Sequence, residues 1–106
     1  MRLGATPFQV EQERVHNVFD LQVINKRPGP RTFTIEAVGP DGAETIVATR
    51  ELELESLADR RIPVHVFVPV SSFKAGLRAE LRVVCREPEG DLERLATAPL
   101  LGPSAR

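Results

Sequence analysis

Alternation of apolar and polar residues at every second position is the feature that most constrains this chain. Residues 17–25 contain the run Phe-Asp-Leu-Gln-Val, and four further segments, 31–38, 44–48, 62–69 and 92–98, are also rich in strand-forming residues. Alternation of this kind buries one face of a strand and leaves the other in water. Pro and Gly interrupt the segments at spacings of about 8–12 residues, so the sequence predicts short strands joined by turns.

Two segments leave the secondary structure open. Leu52, Leu54 and Leu57 stand among glutamates, which favour a helix, although the Leu-x-Leu alternation fits a strand followed by a bend. Residues 73–84 also carry apolar side chains at helical spacing. We prefer a strand for residues 77–86, because their β-branched residues and a period of two place the charges on one side.

Seven to eight short, mostly antiparallel strands predict an all-β fold, namely an immunoglobulin-like β-sandwich. The 106 residues, 42% hydrophobic and 27% charged, fit a single domain. We expect this domain to cover residues 7–98 and to begin with a short strand at residues 8–10. Residues 1–6 and 99–106 are expected to be flexible segments. The chain has no Trp and no Tyr, so the core must be mainly aliphatic.

Composition argues against several classes of partner. The net charge is −1, and the aromatic residues are five Phe, so few rings are present to stack on bases or sugars. We therefore expect neither a nucleic acid nor a carbohydrate partner. No apolar run approaches the roughly 18 residues of a membrane span, and the first residues form no signal peptide. The compartment is therefore not encoded in these residues.

The residue groups of a catalyst are also missing from the sequence. No Ser lies in a Gly-x-Ser-x-Gly context, and no Gly-rich loop with a terminal Lys-Ser/Thr is present to hold phosphate. The glutamates of residues 51–55 alternate on a solvated face, without an apolar pocket to raise a pKa. We expect a protein that is not an enzyme and needs no cofactor.

A metal site would require the two histidines, His16 and His65, to converge. Both take the outward phase of strands predicted to be antiparallel neighbours. The expected pairing places His65 near Gln22, which is about 13–20 Å from His16 at the usual rise per residue. We therefore assign no metal ligand. Cys85 is the only cysteine and shares the phase of the core, so a buried, unreactive thiol is expected.

One loop is the candidate for partner contact. Residues 25–31 read Asn-Lys-Arg-Pro-Gly-Pro-Arg, in which the Pro-Gly-Pro segment forces a turn between two strands. Lys26, Arg27 and Arg31 then fit two interpretations. Their charges lie in water, or they form a small cationic tip that contacts an acidic protein or a lipid headgroup.

Residues 62–70 form the most β-prone segment and also fit two interpretations. The segment is an edge strand that accepts a partner strand, although its prolines would blunt such an edge, or it is a central strand packed on both sides. Its outward phase includes Phe67. This side chain is the apolar candidate for a contact surface.

Residues 16–35 contain His-Asn-Val-Phe-Asp-Leu-Gln-Val-Ile-Asn-Lys, followed after the turn by Arg-Thr-Phe-Thr-Ile. This pattern resembles the C-terminal immunoglobulin-like domain of FixG-type (CcoG) cytochrome oxidase accessory proteins. That domain has a similar Arg-Asn-x-Tyr-x-Leu-x-Ile-x-Asn-Lys stretch and then an Arg-x-Phe strand. The similarity spans roughly residues 7–87, with Phe19 in place of Tyr and His16 in place of Arg. The matching residues are Asn17, Phe19, Leu21, Val23, Asn25, Lys26, Arg31 and Phe33.

The resemblance implies a non-catalytic interaction or structural domain of a membrane-bound assembly protein, on the extracytoplasmic side, with a protein partner. It also implies that Asn25 forms backbone hydrogen bonds at a strand end and that Asn17, if buried, has a partner. The family's membrane helices and cysteine-rich segment are absent here, so its iron–sulfur and copper chemistry is assigned to no residue. The alternative is a stand-alone adhesion or scaffold module.

Overall fold

Two antiparallel sheets form the protein, as seen in a computed structural model that describes residues 2–5 and 8–103. The first sheet contains β1 (Arg2–Ala5), β2 (Gln9–Glu11), β3 (Arg14–Ile24), β5 (Glu44–Val47) and β7 (Asp59–Pro69). The second contains β4 (Arg31–Val38), β6 (Glu51–Leu54), β8 (Arg78–Cys85) and β9 (Leu92–Pro99). A 3-10 helix, Val70–Ser72, follows β7. The predicted all-β immunoglobulin-like sandwich is confirmed.

The strand order places β7 inside the first sheet. The order is β1-β3-β7-β5, with β2 also paired to β3, and the second sheet runs β6-β4-β8-β9. β3 and β7 each have 11 residues and pair along their whole length, from Arg14 opposite Pro69 to Ile24 opposite Asp59. Residues 62–69 therefore form a central strand, and the alternative of an edge that accepts a partner strand is excluded.

Alternating burial along the strands produces the core. In β3 every second residue is buried, and the same pattern runs along β7 from Ile62. The second sheet contributes Phe33, Ile35 and Leu81 to the same cluster. Burial of each large apolar side chain stabilises the fold by about 1.5–3 kcal/mol. The two ambiguous segments are strands β6 and β8, and Leu57 has a φ of 66° in the bend after β6.

The packed domain extends beyond residues 7–98 at both ends. β1 pairs with β3, from Arg2 opposite Gln22 to residue 5 opposite residue 19. At the other end Leu100 is buried in the core. The Leu101 backbone N–H donates to Asn17 Oδ1, and the Asn17 amide donates to the Leu101 carbonyl, both at 2.9 Å. Residues 1, 6 and 104–106 of the segments expected to be flexible lie outside the described residues, as does residue 7 of the expected domain.

A fully buried amide, that of Asn25, closes β3. Its Nδ2 donates to the carbonyls of Leu54 (2.8 Å) and Gly29 (3.0 Å), and its Oδ1 accepts from the Arg27 backbone N–H (2.9 Å). Two backbone hydrogen bonds also join Asn25 to residues 57–58. Gly29 has a φ of 80°, which glycine adopts without steric cost. One side chain therefore ties together the loop, β3 and the bend after β6.

Replacement of Asn25 by Ala removes three hydrogen bonds and leaves their backbone partners without the amide. We expect Asn25→Ala to lower the free energy of unfolding by about 2–4 kcal/mol, since an unsatisfied buried group costs about 1–3 kcal/mol. Urea unfolding, with an unchanged m-value, measures this loss. The exposed Thr97→Ala is the control and should stay within about 0.5 kcal/mol of the wild type. An Asn25→Ala loss as small as that of the control would contradict the role of Asn25.

Candidate functional site

A cleft of about 440 Å³ lies at the end of the sandwich where β3 ends and β9 begins. Buried apolar side chains form part of its wall, among them Val23, Phe33 and Val83. Leu92 and Leu95 of β9 also line it, and they are 49% and 70% exposed. The cleft therefore presents apolar surface that solvent can reach.

Three cationic residues line the same cleft. Lys26 and Arg27 come from the loop after β3, and Arg94 comes from β9. Arg94 pairs with the buried Val83 of β8, so it takes the inward phase of its strand. Apolar surface beside three cations suits a ligand that is both apolar and anionic. Sequence reasoning missed Arg94, although an arginine in the inward phase of the last strand was a usable signal.

Arg27 and Arg31 are held by a buried carboxylate. The Glu87 side chain is 8% exposed, and its oxygens accept from Arg27 Nε at 2.7 Å and from Arg31 Nε at 3.0 Å. Burial alone would raise the pKa of Glu87, but the hydrogen bond from Arg31 and the charge of Arg27 outweigh it and lower this pKa. The interpretation that all three loop charges lie in water is therefore corrected for Arg31, whose side chain is 20% exposed, whereas Arg27 is half exposed and Lys26 is exposed.

Cys85 lies beneath this ion pair. The residue is buried, as predicted, and its Sγ is 3.8 Å from Glu87 Oε1. Burial and the negative charge of Glu87 raise the pKa of the thiol, against the weaker opposing effect of the two arginines. The thiol is therefore a poor nucleophile in the folded protein.

The expected distance between the two histidines is wrong. His65 lies opposite Val18, not near Gln22, and His16 lies opposite Phe67. The His16 Nε2 and His65 Nδ1 atoms are 2.9 Å apart, a hydrogen-bond distance. Burial, and then the charge of His65, lower the pKa of His16. The error came from the strand lengths, because β3 and β7 both begin earlier than predicted.

Phe67 takes its predicted outward phase but is partly covered. Its ring stacks on His16, with centroids 4.2 Å apart, and the Arg14 guanidinium carbon lies 4.4 Å from the ring centroid. We call Arg14, His16, His65 and Phe67 the histidine surface. Among the described residues no group of three or more His, Cys, Asp or Glu side chains is arranged to hold a metal ion.

Comparison with known proteins identifies the fold family. A family model described as "IG-like fold at C-terminal of FixG, putative oxidoreductase" matches residues 2–103. No curated protein matches the chain. In the part of the chain that the structure describes, no helix has the length and hydrophobicity needed to span a membrane.

Similar solved structures share the fold at low sequence identity. A FixG-related protein from Vibrio parahaemolyticus has a TM-score of 0.57 at 12% identity, covering 92% of this chain and 95% of that one. The yeast GGA1 GAE domain–P21 structure has a TM-score of 0.61 at 13% identity, with coverages of 94% and 90%. The GAE domain of GGA2p from Saccharomyces cerevisiae has 0.60 at 8%, with coverages of 95% and 88%.

Substitution of Glu87 tests whether the buried ion pair stabilises the protein. Because the pKa of Glu87 is lowered in the folded state, its contribution is complete above the unfolded value near 4.5 and is lost as the pH falls through the folded value. We expect Glu87→Gln to lower the urea midpoint at neutral pH, with a difference from wild type that shrinks below about pH 4.

Glu89→Gln, in the same turn but exposed, is the matched control and should leave the urea midpoint unchanged at both pH values. A Glu87→Gln difference that is constant with pH would show that the carboxylate charge does not stabilise the fold.

Burial of Cys85 predicts that its thiol reacts slowly in the folded protein. We expect a thiol-specific reagent to label Cys85 at least about tenfold more slowly in the folded protein than in the urea-unfolded chain, because the thiolate is rare and shielded. Absorbance of the released chromophore measures both rates. Equal rates under the two conditions would contradict the buried position.

Proposed function

The chain belongs to the family of immunoglobulin-like domains at the C-terminus of FixG, and on that basis we propose that it is a non-catalytic domain that binds a protein partner. The observation that carries this proposal is the cleft at the end of the sandwich. It combines apolar lining with three cations, Lys26, Arg27 and Arg94, and with two exposed leucines of β9. We assign to it an extended partner segment that carries both apolar and acidic residues on one face, at every second position.

The position of β9 supports an extended partner. β9 is the last strand in the order of the second sheet, and residues 92–95 are all exposed. An outer strand offers backbone N–H and C=O groups, to which an extended segment can add as a further strand. Side chains of one face of that segment would then lie over the cleft, where an apolar residue meets Leu92 and Val83 and an acidic residue meets Arg94.

The charges at the cleft also predict how the interaction responds to salt. Exposed cations at the rim of an interface contribute mainly to association rate and specificity, and their effect is screened within about 8 Å at physiological ionic strength. The apolar lining supplies the part of the affinity that does not depend on salt. An acidic and apolar partner therefore uses both features of the cleft.

We further propose that the domain serves a membrane-bound cytochrome oxidase assembly protein on the extracytoplasmic side. The support is the family itself, whose domains stand at the C-terminus of FixG. In this arrangement the domain carries no chemistry of its own and positions a partner beside the rest of the assembly protein.

Binding of synthetic peptides tests the proposed function. The probe, called the Glu-Leu peptide, is fluorescent and end-capped and repeats Leu-Ser-Glu-Ser, so that one face of an extended strand presents Leu and Glu in turn. Of the two comparison peptides, one has Lys in place of Glu and the other has Ser in place of Leu. We expect only the Glu-Leu peptide to bind, with an affinity that falls as salt rises, measured by fluorescence anisotropy. Arg94→Glu and Lys26→Glu should each weaken binding by about tenfold, or about 1.4 kcal/mol.

The control variant is Arg78→Glu, an exposed charge reversal at the opposite end of β8, which should bind like the wild type. Arg27 is left unchanged, because it also holds Glu87. Equal binding of the three peptides, or unchanged binding in the cleft variants, would overturn the proposal. Binding to anionic phospholipid vesicles without binding to the Glu-Leu peptide would replace the protein partner by a lipid surface.

A further inference from the structure

We propose that His16 and His65 form a binding site for a divalent transition-metal ion on the outer face of the first sheet. Their Nε2 and Nδ1 atoms lie 2.9 Å apart. The two residues are 49 positions apart in sequence, and the register of β3 against β7 brings them together. The site is independent of the cleft and of the proposed function.

The pairing of the strands orients both rings toward each other. His16 lies opposite Phe67 and His65 opposite Val18, so the two histidines are diagonal neighbours on one face. In the hydrogen-bonded pair one imidazole donates its N–H and the other accepts, so a single proton lies between the two nitrogens. A metal ion can take the place of this proton when the donating imidazole carries its proton on the other ring nitrogen instead, which leaves two neutral imidazoles, the form in which histidine acts as a ligand.

The separation of the two nitrogens indicates the geometry of the ion. Metal–imidazole bonds are about 2.0–2.1 Å long, so two nitrogens in adjacent positions of a square-planar or octahedral ion lie about 2.9 Å apart, against about 3.3 Å in a tetrahedral one. The observed 2.9 Å corresponds to adjacent positions at about 90°. Square-planar and tetragonal sites of nitrogen and oxygen ligands suit Cu²⁺ and Ni²⁺. In the hydrogen-bonded pair the two nitrogens face each other, so each ring must turn by about 45° to direct its lone pair to one ion beside them.

Packing restricts one of the two ligands before any ion binds. The His16 ring is stacked on Phe67 with an interplanar angle of 13°, and Phe67 in turn contacts Arg14. A ligand that is already held by its neighbours loses less freedom on binding. The positive charge of Arg14 opposes a cation, but Arg14 pairs with Glu44 at 3.3 Å. Glu11 adds a negative charge that acts on His16.

The remaining coordination positions are open to other ligands. In the described part of the chain no third His, Cys, Asp or Glu side chain completes a metal-binding group with this pair. His16 and His65 are both only partly buried. Water, or a donor atom from a second molecule, can therefore occupy the other positions of the ion. Such a site binds its ion less tightly than one with four protein ligands and lets it exchange.

Titration of the untagged protein with Ni²⁺ tests the site. Isothermal titration calorimetry at neutral pH should show one equivalent of Ni²⁺ bound to the wild type. His16→Gln and His65→Gln should each weaken this binding by about tenfold or more, because the second imidazole binds an ion that the first already holds. The double variant, with both substitutions, measures the binding of Ni²⁺ to the rest of the protein. With Cu²⁺, electron paramagnetic resonance should show two equatorial imidazole nitrogens in the wild type only.

Two results would overturn the proposal. One is binding of Ni²⁺ to the wild type that is no tighter than to the double variant. The other is the loss of binding in only one of the two single variants, since a site built on one histidine does not need the other. Thermal unfolding without metal confirms that each variant is folded. Arg94→Glu should bind Ni²⁺ like the wild type, which separates this result from the peptide experiment.

Discussion

The amide of Asn25 is the interaction on which the cleft end of the molecule depends. It is completely buried, its Nδ2 donates to carbonyls of β6 and of the loop, and its Oδ1 accepts from the backbone N–H of Arg27. Because a buried amide without partners is costly, the loop of residues 26–30 cannot move away from β6 while the core stays intact. The loop thereby has a fixed position, and so do the cations that it presents to the cleft.

Periodicity predicted the sides of the strands correctly but not their pairing. The pairing expected for His65 was with Gln22, and the observed partner is Val18, a shift of four residues (22 − 18). An even shift keeps every side chain on its face, because side chains alternate with a period of two. The inward phase of Leu21 and Val23 was therefore predicted correctly, whereas the distance from His16 to His65 was wrong. Phase is local information, while register depends on where both strands begin.

The ion pair of Glu87 with Arg31 could not be predicted from the sequence, because it also depends on how the strands pair. Glu87 lies in a Pro- and Gly-rich turn, where a charged residue is usually solvated, and its partner Arg31 is 56 positions away. Only the pairing of β4 with β8, which places Phe33 opposite Cys85, brings the two together. The loop from which Lys26 and Arg27 come could be found from the sequence as a cluster of charges. The contacts of each charged side chain could not be found in this way, because they depend on residues that follow another strand.

The cleft and the histidine surface lie at opposite ends of β3. His16 stands near its first residue and Lys26 follows its last, ten positions further on (26 − 16), which is on the order of 30 Å along an extended strand. β3 and β7 pair along their whole length and connect the two ends of the sandwich. Coupling between distant sites requires a structural element with two alternative arrangements, and this pairing has a single one. Substitutions this far apart without shared partners have additive effects. We therefore expect the two proposed sites to be independent, so that a substitution in one leaves ligand binding at the other unchanged.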